Sequence, residues 1–261
     1  MYNFSGKVVV ITGGAGGIGQ AISAMLIKQG AYIAALDLNV DALSESETLL
    51  PLATDITNAQ QLATSVDKII ERFGTIDVLF NNAGITHMSR FVDTQTDLFD
   101  KIMAVNFTAA VNMTRLCLPH IVQNKGLIVA ISSVAGFAPL YGRSAYSASK
   151  HAMEGFFGSL ASELKELEVG ITIVSPSFVR SRPELTAQVN AGVSSPGALK
   201  KSTGGKQLSP QDAAAQIIKA AAKGQSNLFL GRIAKIARWL VALAPGFYMS
   251  VMSRGAKQEF E

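Results

Sequence analysis

The sequence predicts an α/β fold, in which an open, doubly wound parallel β-sheet carries helices on both faces. Short apolar runs alternate with longer segments of helical period, and this alternation is typical of parallel strands joined by helical crossovers. Motif residues lie at or just after the predicted strand ends, where ligands bind in such sheets. These are Gly13, Asp37, Asn81, Ser133 and Pro176. A length of 261 residues, 48% of them apolar, fits one large domain better than two small ones.

The individual elements follow in order along the chain. Strands are predicted over Lys7–Thr12, Ala31–Asp37, Asp77–Asn81, Gly126–Ser132 and Gly170–Ser175. Helices are predicted over Gly17–Gln29, a segment with Ala59, Leu62, Val66 and Ile69 in register, Leu98–Val122 and Ser144–Leu167. Beyond them, Ser209 opens a further helix that runs to about Lys223, and Asn227–Leu230 is a candidate last strand.

Residues 180–208 break this alternation, because they are rich in proline and glycine and show little apolar periodicity. Long connections inside compact domains usually act as lids over a site. We therefore expect one domain over residues 1–261, with a substrate lid at 182–208 and a basic, apolar helical tail at 231–261.

Cysteine, histidine and the first residues argue against several classes of protein. The single Cys117 excludes an internal disulfide, and its apolar helical surroundings favour packing over nucleophilic chemistry. His87, His120 and His151 lie apart without neighbouring ligands at metal-site spacing, so no metal is expected. Residues 1–5 lead directly into a strand without an export leader, which favours a cytoplasmic protein.

Charge is distributed unevenly along the chain. Residues 1–179 hold 11 Lys and Arg against 15 Asp and Glu, whereas residues 180–261 hold 12 against 4. The body is therefore acidic, and no nucleic-acid partner is expected. The basic excess belongs to the C-terminal third.

A glycine-rich turn, Thr12-Gly-Gly-Ala-Gly-Gly-Ile-Gly19, follows the first predicted strand and opens the first helix. Two glycine registers compete: 13, 17 and 19, or the 14, 16 and 19 of the general dinucleotide fingerprint. Glycine permits a tight turn and lets backbone N–H groups approach a pyrophosphate, to which the helix N-terminus adds partial positive charge. This context favours a dinucleotide site over a purely structural turn.

Tyr146 and Lys150 are four residues apart on a predicted helix, so they share one face, and Ser133 ends the preceding strand. With the glycine turn, this set resembles the short-chain dehydrogenase/reductase family, from about residue 5 to residue 181. The resemblance implies a Rossmann-type oxidoreductase. Tyr146 would be its acid and base, Ser133 would orient the substrate, and Asn106 would hold a water that links Lys150 to solvent. A helical Asn106 is equally compatible with a plain polar surface residue.

The resemblance also implies cofactor contacts. Its glycine spacing matches Gly13, Gly17 and Gly19, so that register is preferred. The further implied contacts are Ile18, Asp37, Asp55, Ile56, Asn81, Asn82, Ala83, Gly84, Tyr146, Lys150, Pro176, Val179 and Ser181. Ser177 and Ser181 stand where the family carries glycine and threonine, which leaves the backbone geometry of this last segment open.

Asp37 predicts NAD as the cofactor in preference to NADP. It lies 18 residues after Gly19, where a carboxylate can accept hydrogen bonds from ribose hydroxyls. A 2′-phosphate about 4 Å away would be repelled by about 4 kcal/mol per unit charge at an effective dielectric of about 20. NADP-preferring relatives carry Arg or Lys where this chain has Gly16, Leu38 and Asn39. A helix-capping role for Asp37 is the alternative.

The predicted reaction interconverts a lipophilic alcohol and its ketone or aldehyde. A phenol has a pKa near 10, so Tyr146 needs a decrease of about three units, which Lys150 and the positive nicotinamide would supply together. Candidate pocket walls are all apolar: Val134, Phe137, Leu140 and Phe178. The alternative function is a non-catalytic dinucleotide sensor on the same fold.

Two surfaces predict partners. A stripe of small and apolar residues, Ala148, Ala152, Gly155, Phe156 and Ser159, predicts a homodimer or homotetramer. In the tail, Ile233, Ile236, Ala237, Leu240 and Leu243 recur at helical spacing between basic residues. The tail is too short to span a bilayer, so it either docks on protein or lies on a membrane surface.

Overall fold

The structure, a computed structural model, describes residues 1–179 and 208–260. The strands in these ranges are β1 (Val8–Thr12), β2 (Tyr32–Asp37), β3 (Leu49–Ala53), β4 (Val78–Asn81), β5 (Leu127–Ile131), β6 (Gly170–Pro176) and β7 (Asn227–Leu230). They form one sheet in the order β3-β2-β1-β4-β5-β6-β7, and all neighbouring strands are parallel.

Helices cover both faces of this sheet. They are α1 (Gly17–Ile27), α2 (Ala59–Phe73), α3 (Thr96–Met103), α4 (Ala109–Gln123), α5 (Ser144–Glu163), α6 (Pro210–Ala222), α7 (Arg232–Leu243) and α8 (Pro245–Phe260). Successive strand residues point to opposite faces, so Val8 and Val10 join the core beneath α2, α4 and α5, while Val9 and Ile11 join the core beneath α1 and α6. The predicted doubly wound fold is confirmed.

The edge strand β3 was not predicted from the sequence. It is five residues long with Pro51 at its centre, and proline is normally a sign against a central strand. Proline is tolerated at a sheet edge because the missing N–H need not join a ladder. Among the described strands β3 pairs only with β2, in the register Ala35↔Pro51.

The helix predicted over Leu98–Val122 is interrupted. A π-helical turn, Ala104–Thr108, separates α3 from α4. Such turns often occur at functional sites. Asn106 lies in this turn and is fully buried, so its interpretation as a plain polar surface residue is wrong.

The C-terminal helices pack on the segment that follows β5. Val134 and Ala138 form a small core with Ala234, Ala237 and Tyr248, whose hydroxyl donates to the Pro139 carbonyl at 3.1 Å. No helix in the described part of the chain is both long and apolar enough to cross a bilayer. The predicted lid at 182–208 lies outside the described residues except for Leu208, which bridges Val179.

Candidate active site

The sheet has a topological switch point beside β1. The chain leaves β1 for β2 and β3 on one side and then crosses to β4 on the other, which creates a crevice at the carboxyl ends of the strands. Gly13 follows β1 and Asn82 follows β4 at this crevice. The Asn82 side-chain amide donates to the carbonyl oxygens of Thr12 and Gly13, both at 3.0 Å. The glycine turn and the Asn81–Gly84 turn are therefore one hydrogen-bonded unit.

Thr12 joins the same two turns, although the sequence alone indicated no role for it beyond being the first residue of the glycine-rich motif. Its hydroxyl oxygen accepts the N–H groups of Asn82 and Ala83, each at 3.1 Å. Its position at the end of β1, directly before the first glycine, is the sequence signal that indicates such a role.

The glycine turn leaves no room for side chains at several positions. Gly13 has a φ of +65°, and a Cβ there would lie 2.9 Å from Ala83 Cα. A Cβ on Gly19 would overlap the Gly13 carbonyl oxygen and lie 2.9 Å from Gly14 Cα. Gly16 precedes α1 without a side-chain cap, and the first N–H groups of a helix have no partner within it. The turn therefore offers a bare backbone cradle at a helix N-terminus, which fits a pyrophosphate.

Asp37 ends β2 beside this cradle. One carboxylate oxygen accepts the N–H of Ala15 at 3.0 Å, and the other accepts the N–H of Leu38 at 2.9 Å. No side chain in the described ranges caps α1, so the alternative of a helix-capping Asp37 does not hold there. Each oxygen retains a lone pair for a further donor such as a hydroxyl. Leu38 beside it is 73% exposed.

Three other predicted cofactor residues lie at or just after the carboxyl ends of β3 and β4. One Asp55 carboxylate oxygen accepts the N–H and the hydroxyl of Thr57, at 2.9 and 2.7 Å, and Ile56 is buried in the core. The Asn81 amide donates to the Thr114 hydroxyl at 2.9 Å, and its oxygen is buried without a hydrogen-bond partner in the part of the chain that the structure describes.

The segment after β6 keeps an ordered backbone despite its departure from the family pattern. Ser177 donates its N–H to the Leu230 carbonyl at 3.0 Å, directly after Pro176. A Cβ on Gly231, which has a φ of +86°, would overlap the Ser177 hydroxyl. The absence of a side chain at Gly231 therefore leaves room for the Ser177 hydroxyl. The predicted contact at Ser181 lies outside the described residues.

The predicted catalytic side chains meet at the carboxyl end of β5. Lys150 is buried, and its ammonium donates to the Ile131 carbonyl at 2.8 Å and lies 5.9 Å from the centre of the Tyr146 ring. Ser133 lies just beyond β5, accepts the N–H of Ala135 at 3.1 Å and hydrogen-bonds the Tyr146 phenol. The structure thus brings Ser133, Tyr146 and Lys150 together.

Asn106 completes the cluster from the π-helical turn. Its amide donates to the Ile85 carbonyl and the Ser149 hydroxyl, both at 2.9 Å, and its oxygen accepts the Ile85 N–H at 2.8 Å. A Cβ on Gly84 would lie 3.3 Å from the Asn106 oxygen and 3.4 Å from the Lys150 ammonium. Gly84 thus leaves space where these two side chains approach. Ser149, which the sequence analysis did not identify, holds the amide in place.

The electrostatics of the free protein differ from the expectation for Tyr146. Burial raises the pKa of the phenol, although its hydrogen bond with Ser133 and the charge of Arg143 act in the opposite direction. The Lys150 ammonium donates its hydrogen bond to the Ile131 carbonyl. Burial lowers the pKa of Lys150 to about 8, against a smaller rise caused by Glu154. A decrease in the phenol pKa therefore requires a further positive charge.

His87 is a buried group near this site that sequence reasoning set aside. It is 1% exposed, and neither ring nitrogen has a hydrogen-bond partner among the described residues. Burial and the charge of Arg143 lower its pKa to about 4. Arg143 also donates to the Thr86 hydroxyl at 2.6 Å, which ties the loop after β4 to the start of α5. No sequence spacing signals these contacts.

No three His, Cys, Asp or Glu side chains within residues 1–179 and 208–260 are grouped closely enough to hold a metal ion. The buried Cys117 has a pKa raised by burial to about 12, so its thiol stays protonated near neutral pH.

Known proteins resemble this chain over most of its length. The family model described as short chain dehydrogenase matches residues 7–193. A dehydrogenase/reductase SDR family protein 7-like of Anopheles gambiae is 34% identical, over 98% of this chain and 85% of the relative. The dehydrogenase/reductase SDR family member 7B of Mus musculus is also 34% identical, over 97% of this chain and 82% of the relative.

Solved structures share the fold. A short chain dehydrogenase from Burkholderia cenocepacia, solved in complex with NADP, has a TM-score of 0.82 and 21% identity, covering 96% of this chain and 99% of its own. A short chain dehydrogenase/reductase from Burkholderia phymatum, solved with NAD, has a TM-score of 0.81 and 24% identity, covering 92% and 94%. The family match, the relatives and the site geometry agree: the chain belongs to the short-chain dehydrogenase/reductase family of oxidoreductases.

Proposed function

We propose that this protein is an NAD-dependent oxidoreductase that interconverts a lipophilic alcohol and its ketone or aldehyde. The observation that carries the proposal is the cluster at the end of β5. There the Tyr146 phenol is hydrogen-bonded to Ser133 and its ring lies 5.9 Å from the Lys150 ammonium. A phenol held between a hydroxyl and an ammonium is suited to exchange a proton with a bound alcohol.

The crevice fits a nicotinamide dinucleotide. The cradle at Gly13, Gly17, Ile18 and Gly19 would hold the pyrophosphate, because a side chain at Gly13 or Gly19 would fill it. The Asn81–Gly84 turn and residues 176–179 would line the ribose and nicotinamide half. When bound, the nicotinamide would accept the hydride in oxidation and return it in reduction.

Asp37 supports NAD rather than NADP. Both carboxylate oxygens are held in place by backbone N–H groups, one of them in the glycine turn, and ribose hydroxyls could donate to them there. A 2′-phosphate there would meet this negative charge, and neither Leu38 nor Asn39 offers a cation. The solved relatives bind NADP in one case and NAD in the other, so the likeness does not favour either cofactor.

Each catalytic side chain has a separate task in the proposed mechanism. In oxidation the Tyr146 phenolate accepts the proton of the substrate hydroxyl, while Ser133 donates a hydrogen bond to the same substrate oxygen. Lys150, with a pKa of about 8, is mostly protonated near neutral pH and places positive charge beside the ring. Asn106 holds Ile85 and Ser149 and would position the water that links Lys150 to solvent. Reduction reverses these proton movements.

A lipophilic substrate is supported by the side chains beside Ser133. Val134 is buried directly after it, and Phe137 stacks edge-to-face on Phe229 with ring centres 5.4 Å apart. These apolar groups would exclude a sugar-like substrate, because its hydroxyls would lose their hydrogen bonds to water.

We further propose a cytoplasmic homo-oligomer that pairs through α5. Ala148, Gly155 and Ser159 are exposed on that helix, and no neighbouring atom of the described residues lies within 4 Å of a Cβ placed on Gly155. A face of small exposed residues permits the close approach that a two-fold interface needs.

The test is a spectrophotometric scan of NADH formation with a panel of lipophilic secondary and primary alcohols. Turnover of any member supports the oxidoreductase. A protein that binds NAD but oxidises no alcohol and reduces no matching ketone would instead fit the non-catalytic sensor.

A further inference from the structure

We propose that the outer faces of α7 and α8 form a docking surface for an anionic membrane, a role that goes beyond the proposed oxidoreductase activity. We call this the C-terminal apolar surface. Its members are large side chains that are 43–77% exposed: Ile233, Ile236, Trp239, Leu243, Phe247 and Val251. Large apolar side chains exposed together on two neighbouring helices usually mark an interaction site.

Packing on the protein body already uses the opposite side of both helices. Ala234, Ala237 and Tyr248 are the buried members, and they contact Val134 and Ala138 of the body. The apolar stripe predicted for this helix therefore packs only in part, and Ile236 remains 58% exposed. Docking on the body explains the presence of the two helices, but it does not explain the apolar residues on their outer side.

Charge indicates what covers this surface. Residues 232–254 contain four basic residues and no Asp or Glu. Arg238 lies over the rings of Phe137 and Phe229, at 5.6 and 6.0 Å, whereas Arg232 and Lys235 are exposed and form no ion pair within the described ranges. Because residues 1–179 carry an excess of acidic groups, an anionic surface would attract this end of the protein and repel the rest.

An anionic bilayer fits these features better than a second copy of the chain. Two copies that met through this face would bring their cations together. In a bilayer, apolar side chains enter the boundary between headgroups and acyl chains, cations contact anionic lipid, and tryptophan lies at headgroup depth. Helices that lie in this interface do not need the length of a membrane span.

Trp239 allows a direct test, because it is the only tryptophan in the chain. Full-length protein is mixed with vesicles of phosphatidylglycerol and phosphatidylcholine at low salt, and then at high salt or with phosphatidylcholine alone. We expect co-sedimentation and a blue shift of the Trp239 emission with the anionic vesicles, both strongly reduced in the other two conditions. An unchanged Trp239 spectrum and protein that remains in the supernatant would overturn the proposal.

Charge variants distinguish binding through the C-terminal apolar surface from a general attraction between the protein's net charge and the anionic vesicles. Arg232→Glu with Lys235→Glu should weaken vesicle binding at least about 25-fold, because each cation near an anionic surface contributes about fivefold. The matched control, Lys219→Glu with Lys223→Glu, makes the same change at two exposed positions at the end of α6. Its loss of vesicle binding should agree, within about threefold, with the loss expected from the change in net charge alone, which a salt titration measures. Equal losses in both pairs would overturn the assignment of the surface.

Apolar variants identify a competing occupant. Leu243→Gln with Ile236→Gln should weaken binding at least about tenfold, whereas Val92→Gln with Leu167→Gln, at exposed positions elsewhere, should not. Turnover of a water-soluble substrate should be equal in both pairs, so a failure here is distinguishable from a failure of the proposed enzyme activity. If the first pair lowers the particle mass in light scattering and the wild-type protein does not bind vesicles, the surface binds a second copy and the membrane proposal is wrong.

Discussion

Removing the negative charge at Asp37 should change the cofactor preference. In the double variant Asp37→Ala with Leu38→Arg, a cation replaces an exposed leucine beside the lost carboxylate. Repulsion of about 4 kcal/mol per unit charge, at about 4 Å and an effective dielectric of about 20, corresponds to about a thousandfold in the ratio of the two cofactors. Salt and the partial exposure of Asp37 reduce this figure, so we expect at least about a hundredfold.

The loss of Asp37 also leaves the Ala15 N–H without its acceptor. That loss costs about 1–3 kcal/mol of stability or affinity, but it affects NAD and NADP alike and cancels in their ratio. The assay therefore compares kcat/KM for NAD and NADP within each variant. Asp41→Ala, which removes the same charge from an exposed neighbour, should leave the ratio within about threefold. Wild-type protein that already prefers NADP, or a double variant with an unchanged ratio, would refute the role of Asp37.

Three further predictions concern the lysine, the glycine cradle and the oligomer. The folded protein binds fewer protons than the unfolded chain between the Lys150 pKa of about 8 and its ordinary value of 10.5, so stability rises with pH in that window. In denaturant titrations the cofactor-free wild type should gain about 2 kcal/mol over Lys150→Met from about pH 8 to about pH 10, and parallel profiles would contradict this. Gly19→Ala should weaken NAD binding at least about tenfold in a calorimetric titration. Gly16→Ala should weaken NAD binding less, because its Cβ would come no closer than 3.2 Å to the Gly13 carbonyl oxygen. Equal losses of affinity in the two variants would count against the cradle. Gly155→Arg should fold normally but run as a smaller particle in light scattering, and an unchanged mass would place the interface elsewhere.

Much of the fold follows from the sequence because buried parallel strands are continuous apolar runs and the helices between them keep their period. The bounds of the strands β1, β2, β4, β5, β6 and β7 were predicted to within one residue for this reason. The exception is β3. A segment of five residues with Pro51 at its centre looks like a loop in the sequence, because its pairing with β2 cannot be read there. The interruption at Asn106 was also not predicted, because the π-helical turn is only five residues long and lies between two helices within one predicted helical segment.

The site residues were identified by motif, whereas their energetics depend on orientation in three dimensions. Spacing places Tyr146 and Lys150 on one helix face, but it does not show that the ammonium donates to the Ile131 carbonyl instead of the phenol. The buried His87 likewise has no motif around it. In the tail, helical spacing reveals an apolar stripe, but only the structure shows which side packs and that Ile236 remains outside.

The measurement that tests the central claim most directly is turnover by Tyr146→Phe. The variant removes only the phenol oxygen, which exchanges the proton, and leaves the ring and the glycine cradle intact. With NAD and the best alcohol of the panel, we predict unchanged NAD affinity and a decrease in kcat of at least about a hundredfold, as expected for the loss of a general acid and base. A variant that turns over within about tenfold of the wild type would contradict the assignment of Tyr146 and the mechanism built on it.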